Sequence, residues 1–241
     1  MSGGKTSPRG EGMRLFQRDY ILRMIEQLSQ VMARLLMLKS LEERQEALVL
    51  LEEFYGKLRL PPARLLLRMP DPELLALIST NGQPDLDKAV GLGMLLKEEG
   101  RVHESMEQYG ESGERFRKAL YLFLTAERLG ADMPGADCRG LIEETRELLR
   151  PYFIPEHTLL LLLDYYTSAG QYAFAEDALF ELLEQEVSPA GRQAGERFYR
   201  MLQEVPDESL EEGRLPRHEL EQGRADLRRL AERGDANSRL G

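Results

Sequence analysis

Apolar residues recur every three or four positions through most of the chain, and each such stretch ends at Gly, Pro or a polar turn, so helices are predicted nearly throughout. Ile21, Met24, Leu28, Val31, Leu35 and Leu38 are spaced 3, 4, 3, 4, 3, a heptad seam that Ile25, Met32 and Leu36 widen on one side. Ser40 and Glu43 form a capping box that opens a second helix, with Leu41, Leu48, Leu51, Tyr55 and Leu58 on a matching seam. The short link between them predicts an antiparallel hairpin; pairing of the first helix with its copy in a second chain is the alternative. Pro61-Pro62 stops the second helix, Ala63 to Met69 forms a short one before Pro70, and Asp71 caps another that runs to Ser79. Asn81-Gly82-Gln83-Pro84 is a breaker, and the softest domain boundary is placed there.

Asp85 to Glu99 reads as a helix with Leu86, Ala89, Leu92, Gly93, Leu95 and Leu96 inward, ended by Gly100, and a partner helix from Val102 carries Met106 and Tyr109. Phe116, Ala119, Leu120, Phe123, Leu124 and Ala126 mark the next helix, a Gly- and Pro-containing loop follows over 130–135, and Cys138 to Leu149 is helical again. Tyr152-Phe153-Ile154-Pro155 is an aromatic connector expected to pack between helices rather than to hold a ligand. Leu159, Leu162, Leu163, Tyr166 and Ala169 lead to Gly170, which can take the left-handed conformation that closes a helix. Tyr172, Ala175, Ala178, Leu179, Leu182 and Leu183 then form the stripe of a second helix, where small Ala175 allows close approach. Ser188-Pro189 starts a helix through Phe198, Met201 and Leu202. After breaks at Pro206-Asp207 and Leu215-Pro216, a polar final helix runs from about Pro216 to Arg233, with Leu220, Leu227 and Leu230 as its narrow stripe.

The hairpin from Leu159 to Glu184 resembles a tetratricopeptide unit: Leu159, Leu162, Leu163, Tyr166, Gly170, Ala175, Leu179 and Leu182 fall on that pattern's offsets, with Leu163 where it prefers Gly. Such a unit cannot cover its apolar face alone, so the resemblance implies neighbouring copies. Leu92-Gly93 matches the Leu-small pair of an earlier unit, and Gly100, Gly135 and Gly170 lie 35 residues apart. The expected fold is all-α. A disordered tail (1–13) and an N-terminal helical segment (14–80) precede three tetratricopeptide-like hairpins (85–186), the middle one irregular, and C-terminal helices (188–235) cap the array.

Composition narrows the function. The 241 residues carry a net charge of −10 and a pI of about 5.0, which argues against a nucleic-acid surface. Six of the 32 basic residues are Lys and 32 − 6 = 26 are Arg, scattered among Glu on helix faces. The single cysteine, Cys138, cannot form an internal disulfide and reads as a small packing residue in a reducing compartment. The N-terminus lacks the apolar run of a signal peptide, and no stretch approaches the roughly 18 uninterrupted apolar residues of a membrane span. A cytoplasmic location is expected.

Three further segments carry a second resemblance. Gln17-Arg18-Asp19-Tyr20-Ile21-Leu22-Arg23-Met24-Ile25-Glu26-Gln27-Leu28, the hairpin from Asp164-Tyr165-Tyr166 to Glu184, and Phe198-Tyr199-Arg200-Met201-Leu202 with Leu215-Pro216-Arg217 together resemble an uncharacterised bacterial family, a domain of unknown function found mostly in Gram-positive organisms. This resemblance spans nearly the whole chain after the tail. It implies an intracellular helical protein and transfers no catalytic residue.

The residues themselves offer no reaction. His103, His157 and His218 are far apart in sequence, no metal-binding His pair occurs, and Gly91-x-Gly93 lies inside a predicted helix, where it serves packing rather than phosphate binding. Glu42-Glu43, Glu52-Glu53, Glu98-Glu99 and Glu143-Glu144 are neighbours about 100° apart on helices and read as solvated faces rather than carboxylate pairs. No enzyme activity, cofactor or metal is expected. The expected role is a protein-interaction module or scaffold whose concave surface takes a protein or peptide segment. On the repeat offsets its first hairpin presents Asp87, Val90, Met94, Lys97 and Glu98, and its third presents His157, Leu160, Asp164, Thr167 and Ser168. The alternative is a structural or regulatory homodimer joined through residues 16–58.

Overall fold

Two long helices of twenty residues each, α4 (Leu86–Ser105) and α5 (Tyr109–Arg128), lie against one another at the centre of the first of two compact units, Met1–Phe153 and Ile154–Gly241. The computed structural model describes residues 23, 26–27, 40–133, 136–185 and 187–238, and side chains as far as residue 230. Most of the predicted heptad helix, and the 1–13 tail, lie outside the described residues. Eleven helices and one two-stranded hairpin are present among those described, so the fold is all-α.

In the first unit, α1 (Leu41–Lys57) begins with the predicted capping box: Ser40 Oγ accepts from Glu43 N at 3.1 Å, and Ser40 N donates to Glu43 Oε2 at 2.9 Å. It packs on α4 with Ala47, Leu51, Phe54 and Tyr55 buried. Leu41 on the predicted seam is instead exposed, because no described residue covers the first turn. Short α2 (Ala63–Leu66) and α3 (Asp71–Leu77) follow. Pro70, not Asp71, occupies the cap of α3, and the Asp71 carboxylate pairs instead with Lys118 Nζ at 2.8 Å. Lys118 also donates to the Met69 carbonyl at 2.7 Å, which fastens this Pro-rich segment to α5.

Asn81-Gly82 is a turn inside the unit and not a boundary. Both residues have positive φ, 53° and 76°, as a two-residue hairpin loop requires, and they join β1 (Ser79–Thr80) to β2 (Gln83–Pro84). The chain divides instead between Phe153 and Ile154, inside the aromatic connector. Tyr152 belongs to the first unit, where its hydroxyl meets Ser112 Oγ at 2.7 Å and its ring meets Phe116 edge-on.

The helix expected to end at Gly100 continues to Ser105, and the partner helix expected at Val102 does not exist. Gly100 is there for room: a Cβ would lie 2.6 Å from Phe116 Cε1, and one on Gly93 would lie 2.5 Å from Phe123 Cε1. The true reversal comes at Glu107, with φ 61°. Glu107 N bonds Glu104 O and Gln108 N bonds His103 O, a Schellman closure without glycine. The 35-residue spacing therefore loses its first turn. Helix α6 (Cys138–Leu148) lies on α5 and α4, with Ile142 and Thr145 buried.

In the second unit, α7 (Glu156–Ser168) and α8 (Tyr172–Gln185) form the hairpin read from the sequence. Leu159, Leu162, Leu163, Tyr166, Ala175, Ala178, Leu179, Leu182 and Leu183 are all buried, and Gly170 closes α7 at φ 71°. Helix α9 (Pro189–Gln203) starts at Ser188, whose Oγ accepts from Gly191 N and donates to Glu156 of α7 at 2.5 Å. It packs on α8 and α7. A short α10 (Asp207–Glu212), not evident in the sequence, and α11 (Arg217–Ser238) complete the unit, with Leu220 and Leu227 buried.

Candidate functional site

Helix α1 carries more apolar residues than its contact with α4 can use. The run Leu48-Val49-Leu50-Leu51 puts Leu51 inside and leaves Val49 67 % and Leu50 39 % exposed, while Leu41 is 58 % exposed one helix face away. Beside this flank lies an open cleft of about 560 Å³. Its walls are Leu48, Val49, Glu52 and Glu53 of α1, and its floor is Glu99 and His103 of α4 with Arg115 of α5.

The floor is a closed polar network rather than a solvated face, which corrects the reading of Glu98-Glu99. Glu99 is 6 % exposed and accepts from Tyr55 Oη at 2.6 Å and Arg115 Nη2 at 3.1 Å. His103 Nε2 stands 3.9 Å from the same carboxylate, and its Nδ1 is 2.6 Å from Gln108 Oε1. Arg115 Nη1 reaches the Glu111 carboxylate at 2.6 Å, while Arg115 Nε is buried with no hydrogen-bond partner among the described residues.

Burial alone would raise the Glu99 pKa, but His103, the Arg115 charge and the Tyr55 hydroxyl outweigh it and hold it below the usual glutamate value. Tyr55 moves well above its ordinary value, through burial first and the Glu99 charge second. For Arg115, burial lowers the pKa and is outweighed by Glu99 and Glu111, which leave it raised. Acid–base catalysis needs a pKa close to the working pH. These three groups move away from neutrality, so the network acts as a fixed-charge clamp joining α1, α4 and α5.

The face predicted on the first hairpin is largely covered. Val90 is 1 % and Lys97 4 % exposed; Asp87, Met94 and Glu98 are half-buried. Helix α6 accounts for Lys97 and Glu98. Its Glu144 pairs with both Lys97 and Arg101, and Glu98 completes the group 3.2 Å from Lys97. Glu144 is thereby held below the usual glutamate pKa despite partial burial, which acts the other way. Val90 and Lys97 are therefore unavailable to a partner. The second predicted set lies in the other unit on one face of α7: His157, Asp164 and Ser168 are exposed, and Leu160 and Thr167 are half-buried.

Cys138 is buried, its Sγ–H donating to the Phe123 carbonyl at 3.5 Å, and burial with the nearby Glu127 and Asp137 charges pushes its pKa to about 12. Among the described residues no three His, Cys, Asp or Glu side chains cluster as a metal site would need, and no helix is long and apolar enough to cross a membrane. The cleft residues Val49 and Arg115 were not singled out by sequence reasoning, and Glu99 was read there as part of a solvated face. The one available signal was the apolar run at 48–51, which is too wide for a single seam.

Residues 15–232 match a family of unknown function (DUF6483). No curated protein and no solved structure matches the chain.

Proposed function

The chain belongs to the DUF6483 family of unknown function, and on that premise we propose that it is a non-catalytic helical protein of the bacterial cytoplasm that docks another protein, acting as an interaction module or scaffold. The observation that carries this reading is the α1 flank, where Leu48 and the exposed Val49 border a cleft rimmed by Glu52 and Glu53. Covering a Val- or Leu-sized side chain contributes roughly 1.5–3 kcal/mol, so an apolar partner face gains there. The acidic rim and the net charge of −10 select the other half of that face: the occupant is an amphipathic helix with apolar and basic side chains, laid along the groove. The exposed face of α7, with His157, Asp164 and Ser168, is a second surface on which a partner could be engaged.

Self-association through residues 16–58 is the competing reading, because α1 belongs to that segment. A photo-crosslinking residue placed at Val49 of the full chain separates the two. The proposal expects an adduct with a different protein, lost on Leu48→Glu. An adduct with the mass of two copies, matched by a dimer in sedimentation, would favour the competitor. No adduct, or one indifferent to Leu48→Glu, overturns docking at this cleft.

A further inference from the structure

The second unit holds a concavity of the opposite sign. Although the chain is acidic, four arginines line a pocket of about 270 Å³ between α9 and α11: Arg192 and Arg200 from the first helix, Arg224 and Arg228 from the second. The helical repeat places them. Arg192, Glu196 and Arg200 follow at steps of four along α9, and Arg224 and Arg228 at a step of four along α11, so two rows of charge face one pocket.

The walls are held by close helix contact. Gly195 has Leu227 where its Cβ would be, 3.0 Å away, and Gly223 lies against Tyr199 and Glu176. Tyr199 is tied to Glu176 at 2.5 Å, so the pocket's aromatic wall is fixed. Several arginines elsewhere meet carboxylates, as Arg115, Arg139, Arg150 and Arg217 do. Among the described residues no carboxylate forms an ion pair with Arg200, Arg224 or Arg228. Glu196 is the one acidic side chain in the lining. On α11, Arg224 and Arg228 are like charges at a four-residue step, which destabilises a helix, so a bound anion would relieve that repulsion.

We propose that this pocket binds a small phosphoryl-bearing polyanion. Guanidinium forks match phosphoryl oxygens two at a time, and Arg200, Arg224 and Arg228 set against the one Glu196 leave an excess of positive charge that suits a multiply charged anion over chloride. The volume, below that of pockets for drug-sized ligands, fits a group the size of pyrophosphate or a short sugar phosphate.

Titration calorimetry of the full chain with pyrophosphate, at constant ionic strength, tests this. The expected result is saturable binding at one site, weakened at least about tenfold by Arg200→Gln with Arg224→Gln, since each charge-assisted bond lost is worth about that factor. Arg139→Gln with Arg150→Gln removes the same charge from exposed pairs and should leave binding unchanged. Arg224→Lys keeps the charge and loses the fork, so it should weaken binding by less than Arg224→Gln. Unaltered circular dichroism confirms that each variant is folded. Three outcomes overturn the proposal: no saturable heat at millimolar pyrophosphate, equal loss in the Arg139/Arg150 control, or citrate binding as tightly as pyrophosphate.

Discussion

Glu99 concentrates the physics of the first unit in one side chain. It is almost wholly buried yet ionised, because Tyr55 and Arg115 donate to it from two other helices. Removing one member of such a network strands the charge of another, which costs roughly 3–5 kcal/mol for a fully isolated partner. Arg115 keeps Glu111, so Glu99→Gln should cost about 3 kcal/mol, the lower end of that range, read as a lower midpoint in urea unfolding. Cys138 is the contrasting residue. With its thiol pushed up to about 12 and buried against α5 at the start of α6, it should resist a thiol-specific reagent at pH 8 in the native chain and react at once in denaturant. Rapid native labelling would show that the helix opens. Cys138 was read from the sequence as a packing residue, but the role of Glu99 could not be read locally: Glu99 and Arg115 are sixteen positions apart and meet only through the α4–α5 packing.

Helix ends show which elements were legible in the sequence. Ser40 with Glu43, Ser188 with Pro189, and the α7–α8 hairpin were read because each signal lies within a few residues of the backbone group it serves. The α4–α5 hairpin was misread because glycine has two uses. Gly93 and Gly100 admit phenylalanine rings, while the left-handed positions after α1, α4 and α10 are held by Arg59, Glu107 and Arg214. A non-glycine residue there carries a penalty of about 1–2 kcal/mol, so Glu107→Gly should stabilise the chain by about 1 kcal/mol. The packing glycines should behave oppositely. Gly100→Ala places a methyl group against Phe116, and the overpacking cost of about 1–3 kcal/mol exceeds the helix-propensity gain of roughly 1 kcal/mol. Gly56, with nothing within 4 Å of its would-be Cβ, is the control: Gly56→Ala should be neutral or stabilising by up to about 1 kcal/mol. A Gly100→Ala chain as stable as the parent would mean that Phe116 has room to move.

Across the whole chain, the two units answer pH in opposite directions, because Glu99, which is buried, and Glu176, which is half-buried, have unlike surroundings. Glu99 has a folded pKa below the usual 4.5, so the stability it supplies is complete above that value and is lost as the pH falls through the lower folded value. Glu176 in the second unit is raised, by burial first and then by Asp177, Glu219 and Asp226, against the opposing hydrogen bond from Tyr199. Its contribution is complete below 4.5 and is lost as the pH rises through the raised folded value, where the half-buried carboxyl ionises. Gln in either place removes the titration while leaving an amide oxygen that can still accept from tyrosine. Denaturant midpoints for the wild-type chain, Glu99→Gln and Glu176→Gln between pH 3 and pH 8 should therefore diverge in mirror image. The deficit of Glu99→Gln is full at neutral pH and shrinks below 4.5, whereas any advantage of Glu176→Gln is absent below 4.5 and grows with rising pH. Parallel curves for the Glu176 variant and wild type would show that this carboxyl is hydrated in the folded chain, and that the close contact of Gly223 with Glu176 and Tyr199 does not exclude water.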